Sequence, residues 1–235
     1  MVAVNALVQT ALADPWAALD AVLDGPLHPG GAEATRALLD RAGAAPGERL
    51  LDVGCGGGEA VALARDRGLA AVGVDRRAGS PNTVRGDLQR LPVAGDSVDV
   101  ALAECVLCLA PDLDRALAEV DRVLADGGRL ALADVVVDGA APDLPGPLSE
   151  ALCLTGPRSP DRVRSALDDA GFAIEELRDH RDDLLAMRDR VADRVDYERL
   201  LAALDESALL ESVRDLEDAV TDGRVRYVSV VATRQ

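Results

Sequence analysis

The stretch that most constrains this chain is residues 49–60, Arg-Leu-Leu-Asp-Val-Gly-Cys-Gly-Gly-Gly-Glu-Ala. An apolar run ends in Gly-x-Gly-x-Gly, and small and apolar residues suited to a helix follow. This is the pattern of a buried parallel strand, a tight turn and a helix N-terminus. Glycines at 54, 56 and 58 admit backbone angles closed to other residues and let a ligand approach the main chain closely. Taken alone, such a turn is equally a plain structural turn.

Two later features narrow the choice. Asp75 ends the apolar run Ala70-Ala71-Val72-Gly73-Val74, about 20 residues after the glycines, where an acid at a strand tip can bind both hydroxyls of a ribose. After a short third segment, Gly86-Asp87-Leu88 offers a carboxylate that could accept a proton from an adenine amino group. The glycine spacing is not the G-x-G-x-x-G of dinucleotide enzymes, and no pyrophosphate-binding features accompany it. With the acids following in order at strand ends, these residues resemble the class I S-adenosylmethionine (SAM)-dependent methyltransferases. The resemblance implies SAM as cofactor and S-adenosylhomocysteine as product. It places Asp52 and the Gly54, Cys55, Gly56, Gly58 turn at the methionine part, Asp75 at the ribose, and Asp87 with Leu88 at the adenine. Arg76 and Ala103 complete the implied cofactor-binding set.

The rest of the pattern agrees with an α/β chain. Strands are expected at 49–53, 70–74, 83–85, 97–103, 129–134, 172–177 and 226–232, with helices at 59–67 and 112–124 between them. Such alternation predicts a parallel sheet covered by helices on both faces. Resemblance to the family adds the details: a Rossmann-like sheet of seven strands, mostly parallel, with 226–232 as its antiparallel member. Residues 1–45 then form an N-terminal helical cap, 46–180 the SAM-binding core, and 181–235 a helical insertion with the final strand of the same domain. Gly127-Gly128 is expected to close the helix before it, and Asp134 to end the fifth strand. Residues 5–24 read as an amphipathic helix with Leu7, Ala11, Trp16, Leu19 and Leu23 available for burial. Residues 138–147, rich in Pro and Gly, are either a lid or a plain connector. Residues 182–222 predict two or three helices whose apolar positions cover either the active-site side or a second subunit of a homodimer.

Composition bounds partners and habitat more than chemistry. The 235 residues carry a formal net charge of −17, with a pI near 4.4, and all 25 basic residues are arginine. That balance argues against nucleic acid or an anionic membrane as partner. A lysine-free acidic surface suits either a salt-loving cell or GC-rich codon usage. No apolar run is long enough to span a bilayer and no secretory signal is evident, so a cytoplasmic protein with four reduced cysteines is expected.

The chemistry is expected where the fourth strand runs into Glu104-Cys105-Val106-Leu107-Cys108-Leu109-Ala110-Pro111-Asp112. Cys153, in Leu152-Cys153-Leu154-Thr155-Gly156, follows the fifth strand in a segment able to fold over the same mouth. These stretches, with Arg122 to Gly128 and Ala133-Asp134-Val135-Val136, look like the arsenite methyltransferase branch over residues 25–175. In that branch, cysteines matching Cys105 and Cys153 bind trivalent arsenic. The resemblance therefore implies a metalloid acceptor on Cys105 and Cys153, with Cys108 either supplying a third sulfur or packing in the core. A further family cysteine would fall near Val61, where there is none, and the C-terminal region departs from the family.

Other readings stand beside this one. Cys55 is equally a small apolar residue of the turn. Cys105-x-x-Cys108 has redox or zinc spacing but no second Cys/His pair. Glu104 could orient a substrate amine or hydroxyl, the mark of a small-molecule O-, N- or C-methyltransferase. His28 in a turn and His180 after the sixth strand are expected to be solvent-exposed, the alternatives being a place at the cofactor mouth and a general base. A non-catalytic SAM- or metalloid-binding protein is the remaining class.

Overall fold

The computed structural model describes residues 13–23, 26–155, 158–194 and 207–235. Helices α1 (Pro15–Leu23) and α2 (Gly31–Arg41) lead into β1 (Arg49–Val53), α3 (Glu59–Asp66), β2 (Ala70–Asp75) and β3 (Thr83–Arg85). Next come β4 (Val98–Glu104), a 3-10 turn (Leu107–Leu109), α4 (Leu113–Val123) and β5 (Leu124–Val137). The chain ends with α5 (Gly146–Ala151), α6 (Pro160–Asp169), β6 (Phe172–Asp179), α7 (Arg181–Arg194), α8 (Ser207–Asp222) and β7 (Val225–Arg234). The strands form one seven-stranded sheet in the order β3-β2-β1-β4-β5-β7-β6. β7 lies antiparallel between β5 and β6, and the pairs from β3 to β5 are parallel.

Burial on both faces explains the near-continuous apolar strands. In β1, Leu51 and Val53 join one core cluster while Leu50 joins the cluster on the opposite side. That alternation is what a strand sandwiched between helical layers requires. Helix α4 buries Leu113, Ala116, Leu117, Val120 and Val123, and starts where the Asp112 carboxylate accepts the Arg115 N–H at 3.0 Å. Capping of this kind satisfies a donor the helix cannot satisfy itself. Helix α6 uses Ser159 in the same way, with Pro160 in its first turn.

Several boundaries differ from the sequence reading. Helix α4 stops at Val123 because Leu124, fully buried, turns into extended backbone and pairs with Val98. Gly127, at φ 69°, therefore bends the start of β5 rather than capping the helix. Asp134 lies three residues inside β5, whose pairing with β7 continues from Asp134–Val228 to Val137–Val225. Of the first expected helix, Pro15–Leu23 is present, while Leu7 and Ala11 lie outside the described residues, as does Gly156. The 182–222 region contributes α7 and α8, with 195–206 outside the described residues. Among the described residues, no helix is long and apolar enough to cross a membrane.

Parallel pairing brings the C-terminal ends of β1 to β4 to one edge, with β5 running on past it. In open α/β sheets that edge is where ligands bind.

Candidate active site

The glycine turn after β1 is fixed by main-chain bonds. The N–H groups of Gly54 and Cys55 donate to the Val74 carbonyl at 2.7 and 3.2 Å, and Gly58 N–H to Cys55 O at 2.7 Å. Gly54, Gly56 and Gly58 have φ of 78°, 49° and 88°, the left-handed region that favours glycine. A Cβ on Gly56 would meet nothing within 4 Å, whereas one on Gly54 would lie 2.2 Å from Val106 Cγ2. The turn is thus open on one side and pressed against the β4 exit on the other. Asp75 locks it from the tip of β2: its carboxylate accepts the Gly56 N–H at 3.1 Å and the Arg77 N–H at 2.7 Å.

Asp52 presents a buried acceptor to the turn. It is 3% exposed, and its Oδ2 has no hydrogen-bond partner. Burial, then the neighbouring Glu104, Asp75 and Glu59, push its carboxyl well above the ordinary range. A buried acceptor without a donor is costly, and the ammonium and sulfonium of the implied cofactor are of the matching sign. The residues present therefore fit SAM. Cys55 sits in the turn through its backbone only; its Sγ packs where a Cβ on Gly73 would be, and burial drives its thiol up to about 12. Asp87 pairs with Arg76 at 3.2 Å and accepts the Gln89 N–H at 2.8 Å, while Leu88 and Ala103 are buried.

Asp75→Ala is expected to weaken SAM binding on the order of tenfold to a hundredfold, because acceptor bonds to a charged group are each worth ~1.5–3 kcal/mol. Titration calorimetry with SAM reads this directly. Unchanged affinity would remove Asp75 from the site.

The second half of the site is a thiol cluster. Cys105 follows β4, and its N–H donates to Ala133 O at 2.8 Å, which sets it beside Asp134. Cys153, 48 residues further on, follows α5, and its Sγ–H points at Cys105 O at 3.5 Å. One ligand atom each from Cys105, Asp134 and Cys153 lie within 4.8 Å of one another. Among the described residues only four non-glycines have positive φ, and Cys105 (50°) and Cys153 (59°) are two of them. Strain of this kind persists only where surrounding structure holds it. Thr155 helps by donating to the Cys108 carbonyl at 3.2 Å, tying the segment after α5 to the 3-10 turn.

All four cysteines are free thiols. The bond with Cys153, then burial, holds the Cys105 thiol well above its ordinary range. At Cys153 the bond with Cys105 acts downward, but the bond with Cys108 and burial outweigh it. Cys108 is buried, which raises its thiol; it interacts with Cys153 and Asp134 yet stands outside the tight trio. Asp134, expected at the end of the fifth strand but given no role in binding, joins the cluster. Its carboxylate accepts N–H groups from Cys108 at 2.7 Å and Val135 at 3.0 Å, and burial pushes it up to about 6. The signal that could have found it is register: Ala133 pairs with Glu104, so the next residue on β5 neighbours Cys105.

The expected exposed histidines are not exposed. His28 is 8% exposed, with Nδ1 at 3.1 Å from Pro29 O and Nε2 at 3.3 Å from Thr35 Oγ. Thr35 Oγ–H in turn donates to Glu104, 2.9 Å from Oε2 and 3.2 Å from Oε1. Burial raises the Glu104 carboxyl, partly offset by His28 and Thr35. His180 is half-buried, with Nε2 at 2.7 Å from Ser229 Oγ and Nδ1 at 3.4 Å from Asp183. Both histidines are covered by residues outside their own turns, Glu104 at His28 and Ser229 at His180. A cleft lined by Arg41, Glu104, His180, Tyr227 and Ser229 lies between α2 and the sheet.

Comparison with known proteins bears on the family and the fold. A family model described as a methyltransferase domain matches residues 51–132. An arsenite methyltransferase of Halobacterium salinarum is 34% identical over 153 residues, 57% of this chain and 39% of that protein. The methyltransferase GfsG of Streptomyces halstedii is 34% identical over 175 residues, 66% of this chain and 63% of its own length. The O-methyltransferase rstn1 of Aspergillus nomiae is 30% identical over 63% of this chain and 74% of that protein. The match thus spans less than two thirds of the first two relatives. In solved structures, a geranyl diphosphate methyltransferase with bound sinefungin superposes with TM-score 0.69 at 20% identity, covering 87% of this chain and 78% of the other. A Haemonchus contortus phosphoethanolamine N-methyltransferase in complex with SAM gives TM-score 0.69 at 19% identity, covering 92% and 56%. These likenesses concern the fold.

Proposed function

This chain belongs to the class I SAM-dependent methyltransferases, and we propose that it methylates trivalent arsenic held on Cys105 and Cys153. The observation that carries this reading is the meeting of two thiols, 48 residues apart in sequence, at the edge of the sheet beside the glycine turn. Similarity to an arsenite methyltransferase of Halobacterium salinarum supports it.

SAM, when bound, supplies a methyl group already activated by its sulfonium, so the acceptor needs a lone pair rather than a strong base. Asp52, the glycine turn and Asp75 would hold the cofactor, and Val106, packed on Gly54, joins that turn to the β4 exit that carries Cys105. As(III) is soft, prefers sulfur, and keeps its lone pair after binding. Raised thiols are no obstacle: each As–OH leaves with the cysteine proton as water while an As–S bond forms. Holding the acceptor in line beside the cofactor is then the main contribution of the chain to rate.

Purified enzyme with labelled SAM and glutathione should transfer label to arsenite in preference to selenite or a panel of small alcohols and amines. Label appearing only on an organic acceptor would sink the metalloid reading. One observation favours that second outcome. Glu104, buried beside Cys105 and backed by Thr35 and His28, is placed to orient a hydroxyl or amine, and O-methyltransferases stand among the relatives.

A further inference from the structure

We propose that Cys105, Cys153 and Asp134 also form a binding site for a divalent ion of the zinc class, and that its occupancy shuts the methyl acceptor out of the thiols. The three ligands come from three separate segments: the exit of β4, the interior of β5 and the turn after α5. Their ligand atoms already lie within 4.8 Å of one another. With metal–sulfur bonds of about 2.3 Å, the edge of a tetrahedral site is about 3.8 Å, so a contraction of about 1 Å at most completes it.

Donor chemistry separates this ion from the metalloid. A trivalent metalloid satisfies itself with sulfur and keeps a lone pair, whereas zinc takes thiolate and carboxylate together in a tetrahedron. Asp134 is the ligand that only the divalent ion needs. Its orientation is built in, since Cys108 and Val135 N–H groups hold its two oxygens, as outer-shell partners hold metal-binding carboxylates. Both cysteines are fixed in left-handed backbone by bonds from Cys105 N–H to Ala133 O and from Cys153 N–H to Glu150 O. Three protein ligands leave a fourth position for solvent, as in zinc sites that keep an open position. On binding, the thiols release their protons to solvent as metal–sulfur bonds form, and no oxidation state changes.

The test is a titration of the reduced wild-type chain with Co2+ alone, without SAM or arsenite, so its outcome is independent of whether arsenite is methylated. Thiolate-to-cobalt charge-transfer absorption should saturate at about one ion per chain and vanish when Zn2+ displaces Co2+. It should be lost in the Cys105→Ser/Cys153→Ser variant. Asp134→Asn keeps an acceptor for the Cys108 N–H but loses the anionic ligand. It should weaken Co2+ binding by about tenfold or more. No charge-transfer absorption in the wild type, absorption that survives the double thiol variant, or full Co2+ affinity in Asp134→Asn would each overturn the proposal. Should Asp134→Asn fail to fold by circular dichroism, the wild-type and thiol-variant titrations decide it.

Discussion

Replacing both Cys105 and Cys153 by serine is expected to abolish arsenite methylation while SAM affinity stays within about twofold of wild type. A serine hydroxyl is a hard donor, and the As–O bond it would form exchanges readily with water, so the acceptor is no longer held. Losing even an outer partner of a bound metal costs about tenfold to a hundredfold, so losing both direct ligands should reduce turnover by at least about a hundredfold. SAM binding is expected to be spared because the residues proposed to hold it, the glycine turn and Asp75, include neither cysteine. The single variants should each show most of the loss. Calorimetry with SAM and single-turnover methylation of arsenite separate the two effects. If the double variant methylates arsenite at the wild-type rate, the metalloid reading fails and the organic-acceptor reading takes its place.

A change at Gly54 should be nearly as damaging, by a different route. Its φ of 78° costs an alanine about 1–2 kcal/mol. The added Cβ would lie 2.2 Å from Val106 Cγ2 and 2.6 Å from Val106 Cβ. Val106 cannot rotate away, being β-branched at χ1 and only 7% exposed. Turn and β4 exit must therefore separate, which moves the cofactor cradle away from Cys105. Gly54→Ala is expected to lower Tm by about 4–8 °C, corresponding to ~2 kcal/mol in a chain of this length, and to weaken SAM binding by at least about tenfold. Adding Val106→Ala should restore the part due to the clash but not the backbone strain. Wild-type Tm and SAM affinity in the single variant would refute the close packing of turn and exit.

Local pattern was enough for the strands and the glycine turn. β1, the Gly54–Gly58 turn and Asp75 are close in sequence, and each obeys a short-range rule: apolar run, glycine where φ is positive, acid at a strand tip. The antiparallel place of β7 came from family resemblance, because nothing in Arg226 to Ala232 tells a strand its direction. Boundaries failed where tertiary contacts overrode local signals. Gly127-Gly128 looked like a helix cap, but burial of Leu124 and its pairing with Val98 had already ended α4. His28 looked exposed because its turn is polar and flexible by composition, yet Thr35 and Glu104, 7 and 76 residues away, cover it.

The sequence by itself determined an α/β alternation and a glycine turn with an acid at the next strand tip, because those features depend on neighbours a few residues apart; the Rossmann-like order and SAM came from the resemblance those residues carry. It also pointed to Cys105 and Cys153 as candidate thiols, through the resemblance of the motifs around them. Only the tertiary structure decided that the two thiols meet, that Asp134 joins them while Cys108 stands aside, and that Glu104 is buried among His28 and Thr35. Each depends on strand register and on how far loops fold back over the sheet edge, and those are set by packing of the whole chain rather than by any stretch of it.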